Sequence, residues 1–145
     1  MAYPEIDAKA SSLVLSIQKL TTQGSAFYDT VVTSLAEPFP PGTSMTADPT
    51  DGFHAELFGV PAHTIVRPIM SGGVSTAIEY LWVIEYGGIV YDLTRMYLVL
   101  DSTQLSSDPG GIRPLFAWGD VYVAKLLIGL LLDALPFSSV FAQSA

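Results

Sequence analysis

His54, Glu56, His63 and Arg67 are the residues of this chain whose types and spacing come nearest to chemistry. Two imidazoles and a carboxylate match the ligand set of a mononuclear zinc or iron site, and a histidine beside a glutamate can work as base and orienter. The stretch from Phe53 to Met70 alternates as strands do, and reads as a hairpin bending at Val60-Pro61. That register sets His63 opposite Phe58, Ile65 opposite Glu56 and Arg67 opposite His54, with the four polar side chains on one face. The plainer reading is a solvent-facing half of a strand alternation, with Glu56 and Arg67 as a diagonal ion pair. It is preferred, so no catalytic group, metal or cofactor is expected. Pro68 cannot donate a ladder bond and marks a strand end or a sheet edge.

Glu79, Glu85 and Asp92 form a second acidic set on the next pair of strands. Paired carboxylates serve glycoside hydrolysis, but no sugar-stacking platform shares their face, and they read as solvated strand charges. The chain has no nucleophile elbow, phosphate-binding glycine loop, HExxH or dinucleotide fingerprint.

The third set is aromatic. Val74 to Leu100 consists of two β-rich runs around Gly87-Gly88, the signature of a tight hairpin. With those glycines as the loop, Tyr86 faces Ile89, Ile84 faces Tyr91, Trp82 faces Leu93 and Tyr80 faces Arg95. One face then gathers Tyr80, Trp82, Tyr91, Arg95 and Tyr97, residue types that anchor interfaces. These five are the expected partner-binding or ligand-binding residues. The competing reading buries them beneath a helix.

The elements that must position these sets follow from periodicity. Pro4, with Glu5 and Asp7, suits a helix N-terminus, and Ile6, Ala10, Leu13, Val14, Ile17 and Leu20 form one helical face. The pattern resumes past Gly24 through Phe27, Val31 and Leu35, as one long helix or two shorter ones. Residues 37–52 are rich in proline and read as an irregular loop. A meander of about four antiparallel strands follows, then the turn signal Asp108-Pro109-Gly110. A final helix is expected from near Asp120 to about Leu135, apolar nearly all round and so buried on more than one side. The fold class is α+β in one domain spanning residues 1–145.

Fourteen acidic against six basic residues give a net charge of −8. Nucleic acid and anionic membranes are therefore unexpected partners, whereas a basic protein is a suitable one. Cysteine is absent, which excludes disulfides and thiolate ligands. The apolar run Leu126–Leu132 is too short to span a bilayer, and the N-terminus carries no signal pattern, so a cytoplasmic location is expected. The functional expectation is a non-enzymatic interaction or assembly module, homo-oligomeric, working through the aromatic sheet face or the final helix. The alternatives are a domain for a small apolar ligand, with Arg95 holding an anionic end, and a small metal-dependent enzyme using His54, Glu56 and His63.

Overall fold

The structure, a computed structural model, describes residues 3–138. A long helix, α1 (Pro4–Ser34), precedes a seven-stranded antiparallel meander, and a second helix, α2 (Val123–Ala134), closes the chain before a short 3-10 turn at Leu135–Phe137. The strands are β1 (Thr43–Asp48), β2 (Gly52–Leu57), β3 (Val60–Ser71), β4 (Val74–Tyr86), β5 (Ile89–Val99), β6 (Gln104–Ser106) and β7 (Pro114–Ala117). They lie in sequence order across the sheet. The class is α+β, as expected, with seven strands rather than about four.

Three strands go beyond the expected meander: β1 lies within the stretch 37–52 read as an irregular loop, and β6 and β7 flank the turn signal Asp108-Pro109-Gly110. Within residues 37–52, β1 alternates, with Met45 buried and Ser44 and Thr46 exposed. The irregular segment is correspondingly shorter than expected. Strands β6 and β7 are only 3 and 4 residues long and sit among turn formers.

Helix α1 runs unbroken through Gly24. A Cβ there would stand 3.1 Å from Ile78 Cδ1, so the glycine lets the helix approach β4 instead of ending it. Ser16, Gln23 and Ser34 pin α1 to the rest of the chain. The Ser16 hydroxyl accepts the Ser75 N–H at 3.0 Å. Gln23 Nε2 donates to the Val99 and Ser102 carbonyls at 2.8 and 3.2 Å, and its Oε1 accepts the Asp101 N–H. Ser34 Oγ accepts the Ala124 N–H at 3.0 Å, satisfying one of the orphan donors at the start of α2. Asp120 lies ahead of α2 and holds the Tyr122 N–H, so the helix begins three residues later than expected, at Val123.

Both helices pack on one face of the sheet. Phe27 and Val31 of α1 and Leu127, Ile128 and Leu131 of α2 meet Phe53, Leu57, Tyr80, Trp82, Ile84, Met96, Leu98 and Leu105 in one core. Because α2 touches α1, β1 and β5, the sheet curls around it, and its nearly all-round apolar surface is buried on several sides. Each fully buried large side chain contributes about 1.5–3 kcal/mol through its loss of contact with water. The apolar residues Phe137, Val140 and Phe141 past α2 read from sequence as extending its contact; Phe137 is exposed, and Val140 and Phe141 lie outside the described residues. Among the described residues no helix is long and apolar enough to cross a membrane.

Candidate functional site

The β2–β3 turn falls at Phe58-Gly59 and not at Val60-Pro61, and this decides the fate of the histidine set. Both residues have positive φ, 54° and 84°, the requirement of a tight hairpin turn. His54 therefore pairs with His63, and Glu56 with Pro61. The turn moves by two positions and each cross-strand partner by four, so the side chains keep their common face while exchanging neighbours. The imidazole rings lie 6.0 Å apart. Arg67 sits beyond the reach of β2 and pairs with Glu79 of β4 instead of His54. Among the described residues no three His, Asp or Glu side chains converge as metal ligands would, and the site expected of the enzymatic alternative is not assembled.

Register also divides the aromatic set. The pairs Tyr86–Ile89 and Ile84–Tyr91 stand as read, but a bulge at Leu93 shifts the remainder: Trp82 faces Thr94 and Tyr80 faces Met96. Tyr80 and Trp82 point to the helices, 6% and 0% exposed, and both stack on Phe53, at 6.0 and 6.4 Å between ring centres. Tyr91 is half-buried at the margin of the same core. Arg95 and Tyr97 lie on the opposite face. The five residues do not form one surface, and the first two are core. The Trp82 indole N–H is buried, and among the described residues it has no hydrogen-bond partner.

Arg95 and Tyr97 join a polar cluster on the sheet face away from the helices. Its centre is Glu79, 3% exposed and not the solvated charge expected. Arg67 Nε donates to Glu79 Oε1 at 2.6 Å, and the Tyr97 hydroxyl donates to Oε2 at 2.8 Å. Arg95 Nε stands 3.9 Å from Oε2, while its Nη2 reaches Asp92 at 3.2 Å. Burial alone would raise the Glu79 carboxyl. The hydrogen bonds from Arg67 and Tyr97 and the two guanidinium charges outweigh it and hold the group below the usual carboxylate range. The carboxylate is thereby fixed in its ionised form with both oxygens engaged, an arrangement suited to cross-linking three strands and not to exchanging protons.

Two of the features open to solvent on the helix side combine an apolar surface with a recess. The first is a continuous apolar series along α1, at Tyr3, Ile6, Ala10, Leu13, Ile17, Leu20, Gly24, Phe27, Val31 and Ser34, with steps alternating between three and four residues. From Leu20 onward the chain's own sheet and α2 cover it. Every residue from Tyr3 to Ser12 is exposed, Leu13 is half-buried, and Ile6 and Ile17 are 62% and 45% exposed. The hydrogen bonds tying α1 to the sheet begin only at Ser16. Where this ridge meets the sheet, a largely apolar notch of about 280 Å³ opens, lined by Ile17, Leu20, Val66, Pro68 and Ile78, with Thr21, Arg67 and Ser75 beside them.

The second feature is a cleft of about 370 Å³ between α1, the β1–β2 turn and β3–β4. It exists because β2 pairs with β3 only as far as His63, which leaves the second half of β3 uncovered beside the helix. Tyr28, Phe53, Val66, Ile78 and Tyr80 form its apolar lining, and Asp29 and Asp48 stand on its two walls. Compared with known proteins, the chain matches no family model, no curated protein and no solved structure.

Proposed function

We propose that this chain is an assembly module that pairs with a second copy of itself through the N-terminal half of α1. The observation that carries this reading is the apolar series of α1: one half is buried by the chain's own sheet, and the other, from Tyr3 to Ile17, continues in the same register over solvent. At 1.5 Å per residue the first dozen residues project about 18 Å, and an isolated helix that short is marginal in water. A facing helix would remove both problems.

A second copy suits this surface better than a partner of opposite charge. Residues 3–20 carry Glu5, Asp7, Lys9 and Lys19, which sum to zero in a molecule of net charge −8. This is a stretch where two copies can approach without the repulsion of the rest. The ridge and the notch at Ile17, Val66 and Ile78 adjoin, so a two-fold pair can seat each ridge against the other's notch. Of the residues considered from sequence as contact surfaces, Tyr80, Trp82 and the buried side of α2 are occupied by the core.

Sedimentation equilibrium of the full chain at micromolar concentration tests the reading. The wild type is expected at twice the mass of one chain. Ile6→Lys with Leu13→Lys should raise the dissociation constant about thirtyfold or more, the scale of losing central apolar anchors. Far-ultraviolet circular dichroism reports whether the variant's core remains folded. A wild type that stays monomeric, or a folded variant that associates unchanged, overturns the proposal.

A further inference from the structure

The cleft beside Tyr80 carries an inference independent of assembly. Tyr80 is 6% exposed, yet among the described residues its hydroxyl makes no hydrogen bond, and it reaches the cleft wall beside Gly24. A Cβ on Gly24 would lie 3.9 Å from that oxygen, so the absent side chain leaves the approach clear. A nearly buried hydroxyl with no partner, facing a solvent-connected cleft, is a position where a ligand atom can complete the bonding. Burial also raises the phenol's pKa, so the group stays neutral and can accept or donate.

The remaining lining selects the ligand's charge. Tyr28 and Phe53 are stacked at 6.1 Å with 14° between their planes, and Phe53 lies 6.0 Å from Tyr80, which makes an aromatic floor. Asp29 rises from the helix wall and Asp48 from the β1–β2 turn, while no Lys, Arg or His lines the cleft. The N–H groups of Thr50 and Asp51 bond to one Asp48 oxygen and hold its carboxyl below the usual range, so this wall stays anionic. Aromatic faces and carboxylates both attract cations. Arg95, the group that would have anchored an anionic end, is on the far face of the sheet.

We infer that this cleft binds a small organic ammonium ion, with its hydrocarbon body on the Tyr28–Phe53 floor and an N–H donated to the Tyr80 hydroxyl between the two carboxylates. The volume is near the lower end for small-molecule sites, which fits a single ring with a short amine-bearing chain.

Three probes sharing one 2-phenylethyl body separate charge from shape: 2-phenylethylammonium, 2-phenylethanol and 3-phenylpropionate, each titrated into the full chain and followed by amide chemical shifts. The ammonium is expected to bind roughly three- to tenfold more tightly than the alcohol, and the carboxylate least. Asp29→Asn should remove most of the difference between ammonium and alcohol. Tyr80→Phe, which keeps the ring, should weaken the ammonium while the fold is unchanged. Equal affinity for all three probes, preference for the carboxylate, or ammonium binding insensitive to both substitutions overturns the inference. The same titration on the Ile6→Lys, Leu13→Lys chain keeps the result independent of assembly, because neither residue lines the cleft.

Discussion

Glu79 shows how one residue's surroundings reverse its expected role. Its pKa is depressed in the fold, so its stabilising contribution is fully present above the unfolded value, near 4.3, and is lost as pH falls through the lower folded value. Glu79→Gln should cost about 1–2 kcal/mol at neutral pH, since two hydrogen bonds are weakened but both arginine side chains are well exposed and screened by solvent. Urea unfolding of wild type and variant at about pH 7 and about pH 3 checks this: the gap between them should narrow at the lower pH. A gap unchanged with pH would mean that the loss is steric and not electrostatic. Nothing in the linear sequence separates Glu79 from Glu85 or Asp92, because what distinguishes it is the pair of neighbours, Arg67 and Tyr97, that adjacent strands bring to it. The unpaired Tyr80 hydroxyl was invisible for the same reason: it depends on a gap between elements.

Among the elements, those with strong periodicity were legible, and those fixed by unusual backbone were not. Helix α1, the β4–β5 hairpin and the buried α2 follow from spacing and from Gly87-Gly88. The β2–β3 turn was misplaced because Phe58 adopts a left-handed conformation that favours Gly, Asn or Asp, while Val60-Pro61 looked like the stronger breaker. Gly42 helps make Phe58 possible: a Cβ there would lie 2.6 Å from the Phe58 ring, and the Gly42 carbonyl accepts the Phe58 N–H. The Leu93 bulge left no pattern to find, because alternation persists on each side of it and only the partner strand reveals the extra residue. One inserted residue thus sent Arg95 and Tyr97 to the face opposite Trp82.

For the whole molecule, charge sets a condition on assembly. Two copies at −8 repel at long range, whereas the apolar contact through α1 is short-ranged. Raising salt from about 0.01 M to about 0.15 M shortens the screening length from about 30 Å to about 8 Å. Self-association should therefore tighten over that range, measured as the dissociation constant by sedimentation. Weakening with salt would instead point to complementary charges at the contact and count against the α1 interface. The curled sheet bears on this too, since Tyr80 and Trp82 are turned inward, while exposed apolar side chains lie along the first half of α1 and also at the β4–β5 tip, at Tyr86, Ile89 and Val90.

The second half of β3 has a further consequence. Beyond Thr64, whose hydroxyl accepts the Phe53 N–H, this strand has no β2 pairing, and it reads Ile-Val-Arg-Pro-Ile-Met, a β-prone run with an open ladder on one side. Such an edge is a template for fibril growth, and Pro68 interrupts it by withholding an N–H where another strand would dock, while Arg67 adds charge. Pro68 is therefore expected to act as a gatekeeper against aggregation, besides its place in the notch at the foot of α1. Pro68→Val should fold normally yet form thioflavin-positive aggregates faster than wild type under gentle agitation; equal lag times would show that the edge is protected by other means.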